Sequence, residues 1–292
     1  MSGLILDRTG LDDAAQASKA FYSERAGIIE PEWPRIAMES PSTGASTSLH
    51  WLANLGKMLE WVGDRNHRRM KAFNYSIVNR KWENTVDVMR DEIEDDGLGI
   101  VKPRMQNLAD SVPLHQDELV FTLLQAGWAT ACYDGQNFYS AAHPTAAGGT
   151  QSNTLGADAL DSTGLRLGVA TMASFTDWEG NPLNIRPDTL VCGPLMEGAA
   201  KDLLFADRLA SGATNTDKGL VKNLVVSSLI TDTQWHLLYT GGAAAALILQ
   251  MRQGVREREW YSDENDRWSF GVDARYNAGF GLWFYAIAST GA

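Results

Sequence analysis

Residues 73–103 read FNYSIVNRKWENTVDVMRDEIEDDGLGIVKP, and this stretch decides the fold. Tyr75, Ile77, Trp82, Val86 and Val88 alternate with polar neighbours as a half-buried strand does. The stretch then turns acidic at Asp91, Glu92, Glu94, Asp95 and Asp96, and a helical pattern begins just beyond. Charge is sorted along the same region. Seven basic residues (Lys57, Arg65, Arg68, Arg69, Lys71, Arg80, Lys81) stand between 57 and 81 against Glu60 and Asp64 alone. From 82 to 96 the balance reverses, with Arg90 the single base among Glu83, Asp87, Asp91, Glu92, Glu94, Asp95 and Asp96. A strand pair whose ends carry opposite charge suits a docking device better than a catalytic pocket.

Working outward, 292 residues suffice for one large domain or two modest ones. A composition of 44% hydrophobic and 21% charged residues excludes wholesale disorder. The longest apolar run, 243–249, is too short to cross a bilayer. The opening MSGLILDRTGLDD lacks a basic segment followed by an apolar core, and Gly is not its second residue, so neither a secretory signal nor a myristoylation start is expected. A soluble chain that stays where it is made, with no membrane partner, is the expectation. Two cysteines, Cys132 and Cys192, with no CxxC pair, suit a reducing compartment and behave as small buried hydrophobes. The net charge of -11 argues against a surface built to grip nucleic acid. It leaves open a container, which gains nothing by adhering to its contents.

Along the chain, 9–27 reads as a helix with Thr9 as cap, Asp12 and Asp13 in the first turn and Gly27 as stop. Its stripe of Leu11, Ala14, Ala15, Ala17, Ala20 and Phe21 is weak, which suggests a helix lying on another element. Residues 28–48, with Pro31, Pro34 and Pro41 before a Ser/Thr/Gly cluster, should run as an extended arm. From 49 to 89 only short, half-polar strands are expected (50–55, 58–62, 71–78, 85–89), too few for a core, so this ribbon needs a partner surface. Val101, Met105, Leu108, Ala109 and Val112, resumed at Leu119, Val120, Leu123 and Leu124, predict a long helix over 100–126, kinked or divided at Pro113. Beyond Gly127 a turn is expected at Asp134-Gly135 and a flexible surface loop at 146–154. Helices at 160–173 and 194–206 flanking a strand at 189–192 make a small α/β unit. Strands are expected at 235–239, 246–252, 257–261, 268–276 and 282–288, with a hairpin turn at 263–266.

Candidate chemistry is sparse. Cys132, Asp134 and His143 invite a nucleophile–base reading, but catalysis needs a base within hydrogen-bond reach, and proximity in sequence does not supply that. The run 91–96 lacks the alternating oxygens around a glycine turn of a calcium loop, and 263–266 reads as a turn. Gly241-Gly242 lacks the Lys-Ser/Thr of a phosphate loop. The five histidines share no motif spacing, and the ten tryptophans read as packing and interface anchors. No catalytic residue, cofactor or metal is expected.

A series of short matches gives the chain a family. Residues 61–65 (WVGDR), 75–79 (YSIVN), 83–88 (ENTVDV) and 90–96 (RDEIEDD) resemble the major head protein family of phage Mu and its prophage relatives. The resemblance continues in order through 117–121 (DELVF), 132–136 (CYDGQ), His143-Pro144, 186–188 (RPD) and 281–283 (GLW), covering about 30–290. It implies the α+β HK97-like capsid fold, with an N-terminal arm, an extended E-loop hairpin, a P-domain with a long spine helix, and an A-domain. Laid on this chain, 1–48 would be the N-terminal helix and arm and 49–90 the E-loop. Residues 91–131 and 245–292 would form the P-domain and 132–244 the A-domain.

The implied function is mechanical: pentamers and hexamers of one chain closing an icosahedral head around double-stranded DNA, held without sequence-specific contacts. The implied location is the virion, with assembly in the host cytoplasm alongside portal, scaffold and protease proteins. Trp61, Arg65, Arg68, Arg69, Lys71 and Trp82 are the candidates for contact with a neighbouring subunit. One rival is a nanocompartment shell of the same fold enclosing an enzyme cargo, which would carry a cargo-peptide groove and lack portal and packaging partners. Another is a hydrolase using His143 and Asp134.

Overall fold

The computed structural model describes residues 8–48, 75–92, 99–145, 148–177, 180–208 and 212–291, with the backbone alone for 8–15 and 48. In chain order the elements are α1 (Arg8–Arg25), β1 (Ala37–Pro41), β2 (Ser46–Ser48), β3 (Ser76–Val78), β4 (Arg80–Met89), α2 (Val101–Ala126), β5 (His143–Pro144), β6 (Thr150–Gln151), α3 (Ser162–Ala173), β7 (Thr189–Cys192), α4 (Glu197–Phe205), β8 (Asn223–Val226), β9 (Trp235–Leu238), β10 (Leu247–Ser262), β11 (Arg267–Phe280) and β12 (Ala286–Ser289). They group into two compact units. Among the described residues, 8–31, 79–118 and 251–277 form the first, and 32–78, 119–250 and 278–291 the second.

The first unit is a sheet with helices on it. The stretch 80–89 becomes β4, which pairs antiparallel with β11 from Arg80↔Tyr276 to Met89↔Arg267. Its alternation survives folding: Trp82 and Val86 are half-buried and Val88 is buried, while most of their neighbours are exposed. Val88 meets Trp268, Phe270 and Val272 of β11, and Val101, Met105, Leu108 and Ala109 of α2 close the cluster. Burying each large apolar side chain is worth roughly 1.5–3 kcal/mol, so this seam holds the unit together. The weak stripe of α1 contributes Tyr22, buried in the same cluster, with Phe21 packed against it. Arg25 forks onto the Asp110 carboxylate at 2.8 and 2.9 Å.

The helix starts at Arg8, so Thr9 lies inside it and is not its cap. Gly27, at φ +86°, supplies the left-handed stop that was expected. α2 runs unbroken through Pro113, so there is one helix and not two. The expected strands 246–252 and 257–261 are one 16-residue strand, β10. Alternating Arg and Glu at 256–259 conceal it in the sequence, because every residue from 254 to 260 is exposed. The expectation of a ribbon with few contacts to its own chain fails for 80–89, which pair with β11 along their whole length. The remaining ribbon, 49–74, lies outside the described residues.

The second unit has its own sheet, in the order β12-β9-β7-β8. β7 and β8 run parallel, while β7–β9 and β9–β12 are antiparallel. Every residue of β7, β9 and β12 is buried, the pattern of strands covered on both faces. Asp161 caps α3, its carboxylate accepting from the Gly164 N–H at 2.7 Å. It sits close over β9 because Gly168 carries no side chain: a Cβ there would stand 2.6 Å from Leu237 Cδ1.

The arm is not wholly extended. Trp33–Arg35 form a 3-10 turn that buries Trp33 and Ile36, and Arg35 donates to the Leu224 carbonyl at 2.8 Å. Two large apolar residues between the prolines outweighed the extended bias of 28–48. β2 pairs with β3 of the same unit. Nor is 146–154 simply a surface loop: Thr150 and Gln151 pair with Pro144 and His143, and Asn153 is fully buried.

Candidate functional site

Two places hold the candidate residues: the charge-sorted strand and the turn at Asp134. On β4, Trp82 does not reach outward. Its indole N–H donates to the Tyr276 carbonyl at 2.9 Å, and its ring lies 4.4 Å from that of His115. His115 Nδ1 in turn meets the Tyr276 hydroxyl at 2.8 Å. Burial pushes the Tyr276 hydroxyl up to about 12 and lowers His115, against a smaller upward pull from Glu118, so the imidazole is neutral and accepts from the phenol. A cleft of about 260 Å³ opens beside these rings, walled by Val112, Val255 and Val272.

The acidic end of the strand is partly engaged within its own chain. Asp87 pairs with Arg267 at 2.9 Å and accepts from Ser269 at 2.6 Å, and Glu92 takes both Arg104 nitrogens at 2.8 and 3.1 Å. These hydrogen bonds hold the Glu92 carboxyl below the usual carboxylate range. Of the six contact candidates, Trp82 alone falls among the described residues. Trp61, Arg65, Arg68, Arg69 and Lys71 lie outside them, as do residues 93–96 of the acidic run.

The second place assembles what sequence spacing could not. The Asp134-Gly135 turn forms as expected, with Gly135 at φ +87° and the Cys132 N–H bonded to the Gln136 carbonyl at 2.8 Å. Asp134 Oδ1 accepts from the Cys132 thiol at 3.1 Å and the Gln136 N–H at 2.9 Å, and Oδ2 stands 2.7 Å from His143 Nδ1. His143 is fully buried and stacks on the Trp283 ring, centroids 4.0 Å apart and planes 3° from parallel. Burial disfavours the charged carboxylate, but hydrogen bonds from His143, Cys132 and Gln136 outweigh it and hold Asp134 below its ordinary range.

The chemistry open to this cluster is narrow. Burial, reinforced by the neighbouring Asp134 charge, pushes the Cys132 thiol well up, so it is a protonated donor and not a nucleophilic thiolate. Cys132 and His143 each bond to Asp134 and not to one another, so the nucleophile–base contact of a hydrolase is missing. The ligand atoms of the three residues lie within 4.8 Å of one another.

Sequence reading missed Asn153, the residue that completes the cluster. Its Oδ1 takes the Ser140 N–H at 2.9 Å and faces His143 Nε2 at 3.2 Å, while its Nδ2 donates to the carbonyls of Phe138 and Trp283 at 2.7 and 3.3 Å. An asparagine in a Ser/Thr/Gly tract carries no local sign that it will be buried.

Comparison with known proteins places the chain. The family model described as "Mu-like prophage major head subunit gpT" matches residues 11–159, 153–230 and 223–292. The chain is 40% identical over 136 residues to the Mu-like prophage FluMu major head subunit of Haemophilus influenzae, covering 46% of this chain and 44% of that protein. It is 34% identical over 177 residues to the major capsid protein of Escherichia phage Mu, covering 61% and 52%. It thus spans about half the length of the curated relatives it matches. Among solved structures, the procapsid of bacteriophage JBD30 is similar with a TM-score of 0.61 and 26% identity, over 98% of this chain and 76% of that one. The fold is the HK97-like capsid fold. The chain belongs to the Mu-like prophage major head subunit family.

Proposed function

We propose that this chain is the major subunit of a Mu-like head: pentamers and hexamers that close an icosahedral shell around double-stranded DNA. The observation that carries this reading is the ordered family match along 11–292, laid on a fold shared with a phage procapsid. The role is structural and not enzymatic, in keeping with relatives named for heads and capsids and with a Cys-Asp-His cluster that lacks a nucleophile–base contact. Assembly in the host cytoplasm, with portal, scaffold and protease proteins as partners and the virion as destination, belongs to the same reading.

In this reading the first unit, with α2 as spine and the β4-β11-β10 strands, is the P-domain. The second unit, with the β12-β9-β7-β8 sheet, is the A-domain. That moves the boundaries from 131/132 and 244/245 to 118/119 within α2 and 250/251 within β10, shifts 278–291 from the P-domain to the A-domain, and returns 80–89 from the E-loop to the P-domain. The E-loop is then about 49–75, on a stem of β2 and β3. Trp61, Arg65, Arg68, Arg69 and Lys71 are its contacts with a neighbour, and Trp82 drops out because its indole is occupied within its own chain. Electron microscopy and sedimentation of the expressed protein test the proposal. Rings of five and six, or closed shells of regular size, are expected; a chain that stays monomeric at every concentration and ionic strength tried would refute it.

A further inference from the structure

Most of one edge of β10 has no strand beside it. In the sheet order β1-β10-β11-β4, β11 takes one side of this 16-residue strand, and β1 on the other side is only five residues long. Among the described residues, no turn, loop or helix end bonds the backbone of 254–261, and every residue from 254 to 260 is exposed. Such a row of open N–H and C=O groups is a template for a further strand. The four charges at its middle sort by face. Arg258 reaches Asp273 at 2.5 Å, and Trp260 lies over Gly271, where a Cβ would stand 3.2 Å from its ring. On the opposite face Tyr261 packs against the α2 cluster, and Glu257 and Glu259 line a cleft with Lys19 and Tyr22 of α1. Strand alternation therefore gives Arg256 and Arg258 to one face and Glu257 and Glu259 to the other.

This sorting turns the edge away from itself. A two-fold axis between two antiparallel copies of β10 stands perpendicular to the joined sheet, so residues opposite one another come from the same face. Arginine would then meet arginine and glutamate meet glutamate, and like charges directly opposite destabilise a strand pair. Neither glutamate is in an ion pair among the described residues. The edge suits an extended stretch from elsewhere in a sequence, with basic side chains set against the glutamate row. We infer that the open edge of β10 takes up such a stretch from a second copy of this chain as an added strand. Main-chain hydrogen bonds supply the attraction, and the sorted charges set the register. The inference rests on the reading of the chain as a shell subunit. It favours a second copy because rings are closed by contacts between unlike surfaces, and this edge is one that two-fold pairing cannot use.

The test compares hydrogen exchange in the full chain as free subunits and as assembled particles. In free subunits every second amide of 254–260 points away from β11 and should exchange without protection. In particles those amides should slow by about tenfold or more. Particles in which 254–260 exchange as in free subunits would overturn this inference and leave the shell reading standing; a chain that forms no particles would overturn both. A second measure is the pair Glu257→Lys and Glu259→Lys, both at exposed positions. Circular dichroism should be unchanged, and the concentration at which particles form should rise by about tenfold or more. Assembly equal to that of the unsubstituted protein would sink it.

Discussion

The two four-stranded sheets among the described residues differ in how they cover their strands. In the second unit, β7, β9 and β12 are four-residue strands with every side chain buried, roofed by a helix that approaches through glycine. In the first unit, β10 is four times as long, at 16 residues, yet exposed from 254 to 260. The first sheet packs one seam against α2 and leaves much of its surface to solvent. Under the proposed shell role, a subunit that holds its own shape and also meets many copies of itself has reason for both. Sequence changes should therefore act mainly on folding in the second unit and mainly on association in the first.

The sharpest break of this contrast comes from Trp235, fully buried on β9 with its N–H donated to the Asp158 carbonyl at 2.9 Å. Trp235→Ala should cost about 3–5 kcal/mol, read by denaturant unfolding, because the site cannot collapse around so large a void. A loss below about 1 kcal/mol would mean that the buried sheet is not the stability core.

Next in size is the acid sensitivity of the same sheet. Burial lowers His236 to about 3, and Tyr139 holds its Nδ1 at 3.0 Å. The unfolded chain binds this proton near pH 6.5 and the folded one does not. Stability is therefore full above that value and falls as pH drops toward about 3, by up to ~1.4 kcal/mol per pH unit. Melting temperatures of wild type and His236→Gln across this window should converge at the acid end. Parallel curves would show that another group sets the slope.

A smaller effect is expected in the first unit. Val88→Ala removes two methyl groups from the seam between β4 and α2, at a cost of about 2 kcal/mol by unfolding. Smallest in stability is the triple reversal of Arg65, Arg68 and Arg69 to Glu. Exposed charge pairs are each worth only about 0–1 kcal/mol, but a closed shell repeats them. Circular dichroism should be unchanged while sedimentation shows shells impaired, the more so at low salt, where screening is weak. Normal shells from this variant would remove the basic stretch from the assembly surface.

What was legible in the sequence follows the same division. β4 showed through its alternation, α2 through its spacing and the Asp134 turn through its glycine, because each is a local pattern. β8 was not expected: Asn223–Val226 is a four-residue strand that exists only because β7 lies parallel beside it. β10 was broken in two because its middle is charged, a mark of exposure and not of irregularity. At the Asp134 cluster, three members stood close enough in sequence to be considered together. Asn153 and Trp283, which meet and stack the His143 ring, come from positions that carry no motif.

The burial of both thiols has a further consequence. Cys132 is pushed well up by burial, and Cys192 up to about 11 by burial with help from Glu197, and these are the chain's only two cysteines. Thiols that stay protonated and covered react slowly with oxidants and alkylating agents. If the proposed shell forms, these two cysteines would not cross-link its subunits on passing from a reducing to an oxidising medium. The native protein should therefore take up no iodoacetamide at neutral pH.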